Sequence, residues 1–214
     1  EISLGLVGSE MCIRDRDGGI NTGMKIMPTL KSLELPENTT VIGMKSCRML
    51  SALENIKIPK SVTEISNMAF ENTDDGTAAA TIEFEAGSAL KTLGNRAFMR
   101  LGTGSLKLPD SVESIGSNCF QACGFTDITL GTSLKEIGGG AFRENGNLTQ
   151  IAFPESLTTI GGYAFYQTGL TKVTIPSTVT TIETRAFSTC ANLEEVDLKD
   201  ACLLYTSPSP RDRG

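Results

Sequence analysis

Apolar and polar positions repeat along the chain with a period of about two dozen residues. Three consecutive copies run from Ser133 to Leu198: SLKEIGGGAFRENGNLTQIAF, SLTTIGGYAFYQTGLTKVTI and TVTTIETRAFSTCANLEEVDL. Each copy has an apolar pair near Ile-Gly or Ile-Glu, then Ala-Phe, then a Leu-x-x-apolar-x-apolar tract. Such a fixed period is typical of a solenoid, whose units stack because no single unit can bury its own apolar face.

One phenylalanine per unit makes the period explicit. The intervals of 28, 22, 22, 23 and 22 residues separate Phe70, Phe98, Phe120, Phe142, Phe165 and Phe187. The register begins at Leu30, where unit one has Ser46-Cys47 in place of Ala-Phe. The longest interval predicts that an insertion at Glu71–Ala80 forms a loop, because the units on both sides keep the register.

Each unit predicts three local elements. The Leu-x-x-apolar-x-apolar tract alternates with period two, which predicts a short strand with one buried face. A proline such as Pro59 or Pro176 follows and ends the strand, because it has no N–H to donate. Ser-Val-Thr-x-Ile-Gly predicts a second short extended piece, with glycine easing a turn. The Ala-Phe piece predicts one loose helical turn, and the whole chain therefore predicts a repeat solenoid that is mostly β.

The two ends of the chain are predicted to be foreign to the protein. Leu6–Arg16 can be encoded by DNA whose reverse complement, in a shifted frame, encodes CLLYTSPSPR followed by Asp or Glu, as in Cys202–Asp212. That DNA resembles a widely used transposase sequencing adapter. We therefore expect residues 1–16 and 202–214 to be adapter-derived tails. Residues 17–201 are then a solenoid of about seven units plus a truncated eighth, cut from a longer reading frame.

The charge of the chain weighs against two classes of partner. The net charge is −6, and residues 17–201 alone hold 15 basic and 21 acidic residues. Nucleic acids and anionic membranes need basic surface, so we expect no nucleic-acid partner. No apolar run is long enough to span a bilayer, so we expect no direct membrane insertion by this part of the chain.

Enzymatic chemistry is not expected. The chain has no histidine, the commonest general base and metal ligand at neutral pH. Chemistry based on carboxylates, lysine or cysteine stays open, but no motif supports it. We therefore expect no enzyme activity, no cofactor and no metal.

Four cysteines lie between the two tails, at Cys47, Cys119, Cys123 and Cys190. Cys123 and Cys190 occupy the same position three units apart, or roughly 14 Å at about 4.8 Å per stacked strand, whereas a disulfide needs Cα atoms within about 7 Å. Cys119 and Cys123 are neighbours, but one helical turn seldom offers suitable geometry. We expect buried thiols that pack as small apolar groups.

The repeating unit resembles a known family. Its pattern, L-x-x-V-x-I-P-x-S-V-T-x-I-G-x-x-A-F-x-x-C-x-x, is followed almost letter for letter by Leu170–Leu193 and resembles the leucine-rich repeats of the BspA type. The resemblance covers Leu30–Leu198 and implies a right-handed, leucine-rich-repeat-like solenoid with short parallel strands and loose helical turns. It also implies adhesion or binding of host and matrix proteins at a cell surface. Unit one departs at Ser46-Cys47, and unit three lacks the Pro and the Ser-Val-Thr.

The central position of each strand defines an exposed row, which is the candidate binding site. The exposed row consists of Glu34, Lys57, Glu83, Lys107, Thr129, Ala152, Thr174 and Asp197. The first four alternate in sign, so neighbours can pair across about 4.8 Å. Two interpretations stay open: a solvated row that avoids like-charge contacts, or a binding strip whose neutral part is the flatter contact surface.

Two other motifs are assigned to turns. Thr73-Asp74-Asp75-Gly76 lacks the spaced acidic ligands of a calcium loop and predicts an exposed acidic turn. The run Gly138-Gly139-Gly140 lacks the Lys-Ser/Thr of a phosphate-binding loop and recurs at the repeat period.

The sequence supports three functional hypotheses. The first is a non-enzymatic protein-binding or adhesion module of a larger cell-surface or secreted protein. The second is a structural spacer in a surface protein, and the third is an intracellular scaffold for protein interactions. A spacer would tolerate exchange of the exposed row, whereas a binding module would not.

Overall fold

The computed structural model describes residues 30–72 and 78–199. Within these ranges the chain forms short strands and turns and contains no helix. The predicted tails, residues 1–16 and 202–214, lie outside the described residues, as does Thr73-Asp74-Asp75-Gly76. The strands in chain order are β1 (Ser32–Glu34), β2 (Val41–Ile42), β3 (Asn55–Ile58), β4 (Glu64–Ile65), β5 (Thr81–Phe84), β6 (Thr92–Leu93), β7 (Thr103–Lys107), β8 (Ser114–Ile115), β9 (Gly124–Thr129), β10 (Glu136–Ile137), β11 (Thr159–Ile160), β12 (Lys172–Thr174), β13 (Thr181–Ile182) and β14 (Glu195–Asp197).

The strands form two walls of a parallel β-solenoid. The first wall contains the Leu-x-x-apolar-x-apolar strands, in the groups β1-β3-β5, β7-β9 and β12-β14. The second wall is one seven-stranded sheet in the order β13-β11-β10-β8-β6-β4-β2. Unit six joins the first wall through an isolated parallel bridge between Thr129 and Ala152. The predicted solenoid with short parallel strands is therefore confirmed.

A column of phenylalanine rings occupies the core between the walls. The six rings of the Phe series stack with centroids 5.1–5.5 Å apart and interplanar angles of 15° or less. Phe125 is also buried and meets Phe120 edge to face at 5.9 Å. It fills the place of the first Leu in its unit, a role that the sequence analysis did not assign.

The Ala-Phe segment differs from the expected loose helical turn. Around Phe120, the N–H groups of Cys119 and Gln121 donate to carbonyls three residues back at 3.2 Å. The alternate N–H groups, those of Asn118, Phe120 and Ala122, instead donate to the next unit at 2.8 Å. Asn118 and Ala122 have φ near +55°, which turns these donors away from a helical path. The segment is therefore a series of tight turns that forms a third backbone ladder between units.

The same tight turns recur in the other units, at residues with a left-handed backbone. The non-glycine residues of these segments with positive φ are Lys45, Met49, Met68, Arg96, Arg100, Asn118, Ala122, Glu144, Tyr163, Gln167, Arg185 and Thr189. A left-handed backbone costs an ordinary residue roughly 1–2 kcal/mol. The hydrogen bonds between units offset this cost, because they satisfy donors that would otherwise be left without partners.

The glycine of Ile-Gly acts through its size rather than by easing a turn. Gly94, Gly116, Gly138 and Gly161 have no left-handed backbone. A Cβ built on Gly138 would lie 2.8 Å from the carbonyl carbon of Gly116 and from the oxygen of Ile115. Such distances are too short for a side chain, so glycine permits the close approach of successive units.

The serine of Ser-Val-Thr joins one unit to the one before it. Ser111 Oγ lies 2.8 Å from the carbonyl oxygens of both Ser88 and Leu90, and its single hydroxyl proton can be donated to either of them. Ser156 Oγ donates to the carbonyl of Leu134 at 2.7 Å in the same way. The sequence pattern contains this serine because its hydroxyl supplies hydrogen bonds to carbonyls at the bend that follows the strand.

None of these four cysteines forms a disulfide, as predicted from their spacing. Cys47, Cys119 and Cys123 are buried, and Cys190 is half-buried. The Cys123 thiol donates to the carbonyl of Leu101 at 3.1 Å, and burial raises its pKa to about 12. Burial likewise raises the pKa of Cys119. These two thiols are structural, because a nucleophilic cysteine needs a lowered pKa.

The loop predicted at Glu71–Ala80 contains fewer residues than the sequence indicated. Glu71 and Asn72 are buried, and Asn72 N–H donates to the carbonyl of Met99 at 2.9 Å. Ala78 N–H donates to the carbonyl of Arg100 at 3.0 Å. These flanking residues therefore belong to the solenoid, because their backbone groups complete its ladder.

Replacing one ring of the phenylalanine column tests the core. Phe142 is fully buried between two stacked rings, so Phe142→Ala should lower the free energy of unfolding by about 3–5 kcal/mol. Urea unfolding followed by circular dichroism would measure the loss. Phe187 is only half-buried, so Phe187→Ala should cost clearly less. Equal losses in the two variants would contradict a continuous column.

A matched pair of glycine substitutions tests the close approach of units. Gly138→Ala places a methyl group against the backbone of unit four, so it should destabilise the fold by about 1–3 kcal/mol. A Cβ at Gly146 would meet nothing within 4 Å, so Gly146→Ala should change stability by less than about 0.5 kcal/mol. Thermal unfolding of both variants would show the difference, and similar melting temperatures would refute the steric explanation.

Candidate functional site

The structure places the exposed row along the first wall. Glu34 pairs in register with Lys57, and Lys57 with Glu83. Further along, Lys107 pairs with Thr129, and Thr129 forms the bridge to Ala152. Thr174 pairs with Asp197 in the last two units. The paired members therefore occupy equivalent positions on adjacent strands.

Most of the exposed row is accessible to solvent. Thr174 is half-buried, and the other seven members are exposed. The neighbouring strand residues, such as Ile56 and Ile58 on either side of Lys57, point into the core and are buried. The period-two alternation of the strand therefore separates the row from the core, and a partner could reach the row without unfolding it.

The charged part of the row pairs differently from the expectation. The sequence predicts that Lys57 pairs with Glu34 or Glu83 in the row. Instead, Lys57 Nζ lies 2.8 Å from Glu85 Oε1, and this contact raises the pKa of Lys57. The same contact lowers the pKa of Glu85. Glu85 follows the end of β5, where the chain leaves the wall and its side chain can reach back to Lys57.

The neutral part of the row offers a surface of small side chains. Thr129 and Ala152 are exposed on neighbouring units, and Thr174 follows in unit seven. Small side chains leave the strand backbone accessible, so a partner could make backbone as well as side-chain contacts here. This surface of small side chains corresponds to the neutral part of the predicted binding strip.

A lysine–glutamate network lies beside the second wall, and the sequence analysis did not identify it. Glu113 lies between Lys135, whose Nζ is 2.8 Å from Oε2, and Lys91, whose Nζ is 2.9 Å from Oε1. These two hydrogen bonds lower the pKa of Glu113 from 4.5 to about 2. All three residues precede a strand of the second wall, so the repeat period brings them together. The only sequence signal is an alternation of charge at one position of the unit.

Residues 30–72 and 78–199 contain no group of three or more His, Cys, Asp or Glu side chains that could hold a metal ion. The same ranges contain no helix, and hence none that could cross a membrane.

The comparisons with known proteins agree on the fold and the repeat type. A family model described as the BspA type leucine-rich repeat region matches residues 25–85 and 75–194, with six copies of the repeat. A leucine-rich repeat protein from Bacteroides ovatus ATCC 8483 is 25% identical with a TM-score of 0.68, over 81% of this chain and 46% of that chain. A leucine-rich cell surface protein from Faecalibacterium prausnitzii A2-165 is 27% identical with a TM-score of 0.52, over 78% of this chain and 53% of that chain.

A more distant structure shows the fold alone. The leucine-rich repeat protein of T. pallidum is 22% identical with a TM-score of 0.51, over 78% of this chain and 68% of that chain. A search of curated proteins found no match. The chain spans about half the length of the first two solved structures that it matches.

The Glu113 network predicts a specific titration. The pKa of Glu113 in the folded protein is about 2, so the stabilisation from this network is present above pH 4.5 and is lost as the pH falls towards 2. Lys135→Ala removes the larger contribution and should raise the Glu113 pKa towards 4.5. Carbon-13 NMR titration of the side-chain carboxyl would measure this. Lys172→Ala, which breaks the separate pair with Glu195, should leave the Glu113 pKa unchanged.

Proposed function

Because the chain belongs to the BspA-type leucine-rich repeat family, we propose that it is a non-enzymatic protein-binding or adhesion module of a larger cell-surface or secreted protein. The likeness to a cell surface protein of Faecalibacterium prausnitzii supports this location. A host or matrix protein is the proposed partner, in keeping with the expectation from the repeat pattern.

The observation that carries the proposal is the continuity of the exposed row. Eight equivalent positions lie on successive units of one wall, and seven of them are exposed. At about 4.8 Å per strand, the row extends over roughly 34 Å. A stable protein–protein contact buries about 800 Å² on each partner, so a partner that follows the row must also contact the wall for about 12 Å on either side of it.

The chemistry of the row suits recognition of a protein. Charged side chains occupy the units of β1, β3, β5 and β7, and they can set the orientation of a partner. The neutral members, Thr129, Ala152 and Thr174, can be approached closely without removing a charge from water. We therefore place the contact surface at the neutral members and the orienting charges on either side of them.

The spacer hypothesis uses the same fold without a partner. In a spacer, the exposed row serves only to keep the sheet solvated, so its members can be exchanged freely. The experiment below separates the two hypotheses. A secretion signal or a wall anchor in the complete reading frame would in turn exclude the intracellular scaffold.

Photo-crosslinking tests the proposed contact surface. The full chain, carrying p-benzoylphenylalanine in place of Thr129, is incubated with a panel of host extracellular-matrix proteins and irradiated. We expect a discrete covalent adduct from this position and none from a control position at Glu136, which is exposed on the second wall.

A substitution in the row completes the test. Ala152→Arg should reduce the yield of the Thr129 adduct at least about tenfold, because a long charged side chain obstructs the neutral strip. Glu136→Arg should leave the yield unchanged. Equal crosslinking from Thr129 and Glu136, or full tolerance of Ala152→Arg, would favour the spacer over the binding module.

A further inference from the structure

The tight turns around the phenylalanine column form a separate surface, here named the turn edge. It comprises the six-residue segments 44–49, 67–72, 95–100, 117–122, 139–144, 162–167 and 184–189. The third and fourth positions of each segment, alanine and phenylalanine in most units, are buried except for the half-buried Phe187, and left-handed residues flank them. The turn edge is distinct from both walls.

The composition of the turn edge is unlike that of the rest of the surface. Every arginine, methionine and tyrosine of residues 30–72 and 78–199 lies on it, and none is buried. These residues are Met44, Arg48, Met49, Met68, Arg96, Met99, Arg100, Arg143, Tyr163, Tyr166 and Arg185. Arginine, tyrosine and methionine are enriched in protein interfaces, whereas lysine is depleted there.

The turn edge is also basic on an acidic chain. It holds six basic residues and two acidic ones, while the rest of the described chain holds eight basic and fifteen acidic residues. The eight basic residues off the turn edge are all lysines, and several of them pair with carboxylates such as Glu113 and Glu85. The turn edge therefore favours a partner that carries negative charge.

Several cations of the turn edge are held in place by neighbouring side chains. Arg185 Nη1 donates to Tyr163 Oη at 2.9 Å, and its guanidinium lies 5.7 Å from the centre of the Tyr163 ring. The Arg143 guanidinium lies 4.9 Å from the Tyr166 ring, and the two tyrosines meet edge to face at 5.7 Å. Arg–aromatic contacts of this kind restrict the guanidinium before a partner arrives, which reduces the entropy lost on binding.

At the other end, a buried carboxylate orients two further arginines. The Glu71 side chain is only 3% exposed, and its Oε2 lies 2.7 Å from Arg48 Nη2. Arg96 Nη1 lies 3.9 Å from Glu71 Oε1. A buried carboxylate is stable only with compensating cations. Glu71 therefore orients both arginines on the turn edge and neutralises one of their two positive charges.

The spacing of the arginines indicates the kind of partner. They lie in alternate units: Arg48 in unit one, Arg96 and Arg100 in unit three, Arg143 in unit five and Arg185 in unit seven. Stacked rings are 5.5 Å apart in the middle of the column, so alternate units are separated by roughly 11 Å. Three residues of an extended peptide in the polyproline II conformation span about 9 Å and complete one turn, so every third side chain points to the same side. Carboxylates at every third residue of such a segment would therefore face successive arginine-bearing units.

We propose that the turn edge binds an extended acidic segment of a partner protein, with carboxylates at every third residue contacting the arginines of alternate units. The arginine guanidinium suits carboxylates, because its planar fork donates two parallel hydrogen bonds. This inference rests on the protein-binding function proposed above but uses a different surface from the exposed row.

A protein segment fits the turn edge better than a nucleic acid does. The surfaces outside the turn edge carry an excess of carboxylates, which would repel a long polyanion that extends beyond the edge. The Tyr163 and Tyr166 rings are covered by guanidinium groups and are not open platforms for base stacking. A short acidic segment can lie along the edge without meeting either obstacle.

Fluorescence anisotropy with a designed peptide tests the proposal. The probe is a fluorescein-labelled twelve-residue peptide, EASEASEASEAS, titrated with the full chain at 150 mM NaCl. Its control has the same composition with the four glutamates contiguous. We expect the spaced peptide to bind at least about fivefold more tightly, because it contacts more arginine-bearing units. Equal binding of the two peptides, or no binding of either, would overturn the proposal.

Matched charge reversals locate the binding surface. The pair Arg143→Glu and Arg185→Glu should weaken binding of the spaced peptide at least about tenfold. The pair Lys60→Glu and Lys199→Glu makes the same change of charge at exposed positions off the turn edge and should alter binding less than about twofold. Arg143→Lys with Arg185→Lys keeps the charge but removes the fork, so it should weaken binding by an intermediate factor while leaving the fold intact. Equal effects of the arginine and lysine reversals would overturn the assignment.

Two further measurements separate this inference from the alternatives. Tighter binding of fluorescein-labelled oligo-dT of twelve nucleotides than of the spaced peptide would overturn it in favour of a general polyanion surface. The Thr129 crosslinking experiment and the spaced-peptide titration, both carried out on the chain with all of its arginines intact, separate the two proposals. A crosslink at Thr129 without peptide binding would leave the proposed function standing and sink the turn-edge inference. Peptide binding without a crosslink would leave the turn-edge inference standing and would contradict the exposed row as a contact surface.

Discussion

The hydrogen bonds that join each unit to the next are the constraint on which the rest of this structure depends. The Ala-Phe segments direct alternate N–H groups to the following unit, and both walls add parallel strand pairs. A single unit would leave these groups without partners and its phenylalanine exposed. The fixed distance between units then explains other details: the stacked rings, the glycine of Ile-Gly, and the serine hydroxyl that reaches back to the preceding unit.

The same constraint turns the sequence period into columns of side chains. A residue at one position of the unit lies beside its counterparts in the neighbouring units, so similar chemistry at that position accumulates along the stack. Lys91, Glu113 and Lys135 show this on the second wall, where one carboxylate contacts two lysines from different units. Surfaces of this protein are therefore long and narrow, which favours extended partners over compact small molecules.

The two proposed surfaces differ in chemistry because they arise from different backbone geometries. The exposed row lies on strands, where small and charged residues alternate with core residues. The turn edge lies on left-handed turns, where the outward residues are mainly arginine, methionine and tyrosine. Basic residues gathered on one edge of an acidic chain create an asymmetric field, which can orient a partner before contact.

The sequence by itself determined the repeat, its register and the residues of the core. Period-two alternation identified the strands of the first wall, and the phenylalanine spacing identified the column, because both patterns depend only on which residues avoid water. The cysteine spacing excluded a disulfide between units for the same kind of geometric reason. The exposed row follows from the same alternation, and its role in binding stays a proposal.

Only the tertiary structure decided how the backbone and the charges are arranged between units. Propensity favours a helical turn at Ala-Phe, but Asn118 and its counterparts adopt positive φ, and alternate N–H groups of the segment, including that of Asn118, reach the next unit. The pairing of Lys57 with Glu85 rather than Glu83 depends on where the chain leaves the wall. The burial of Glu71 between two arginines depends on contacts across three units. A linear pattern does not contain such distances, because they are set by the stacking of units far apart in the chain.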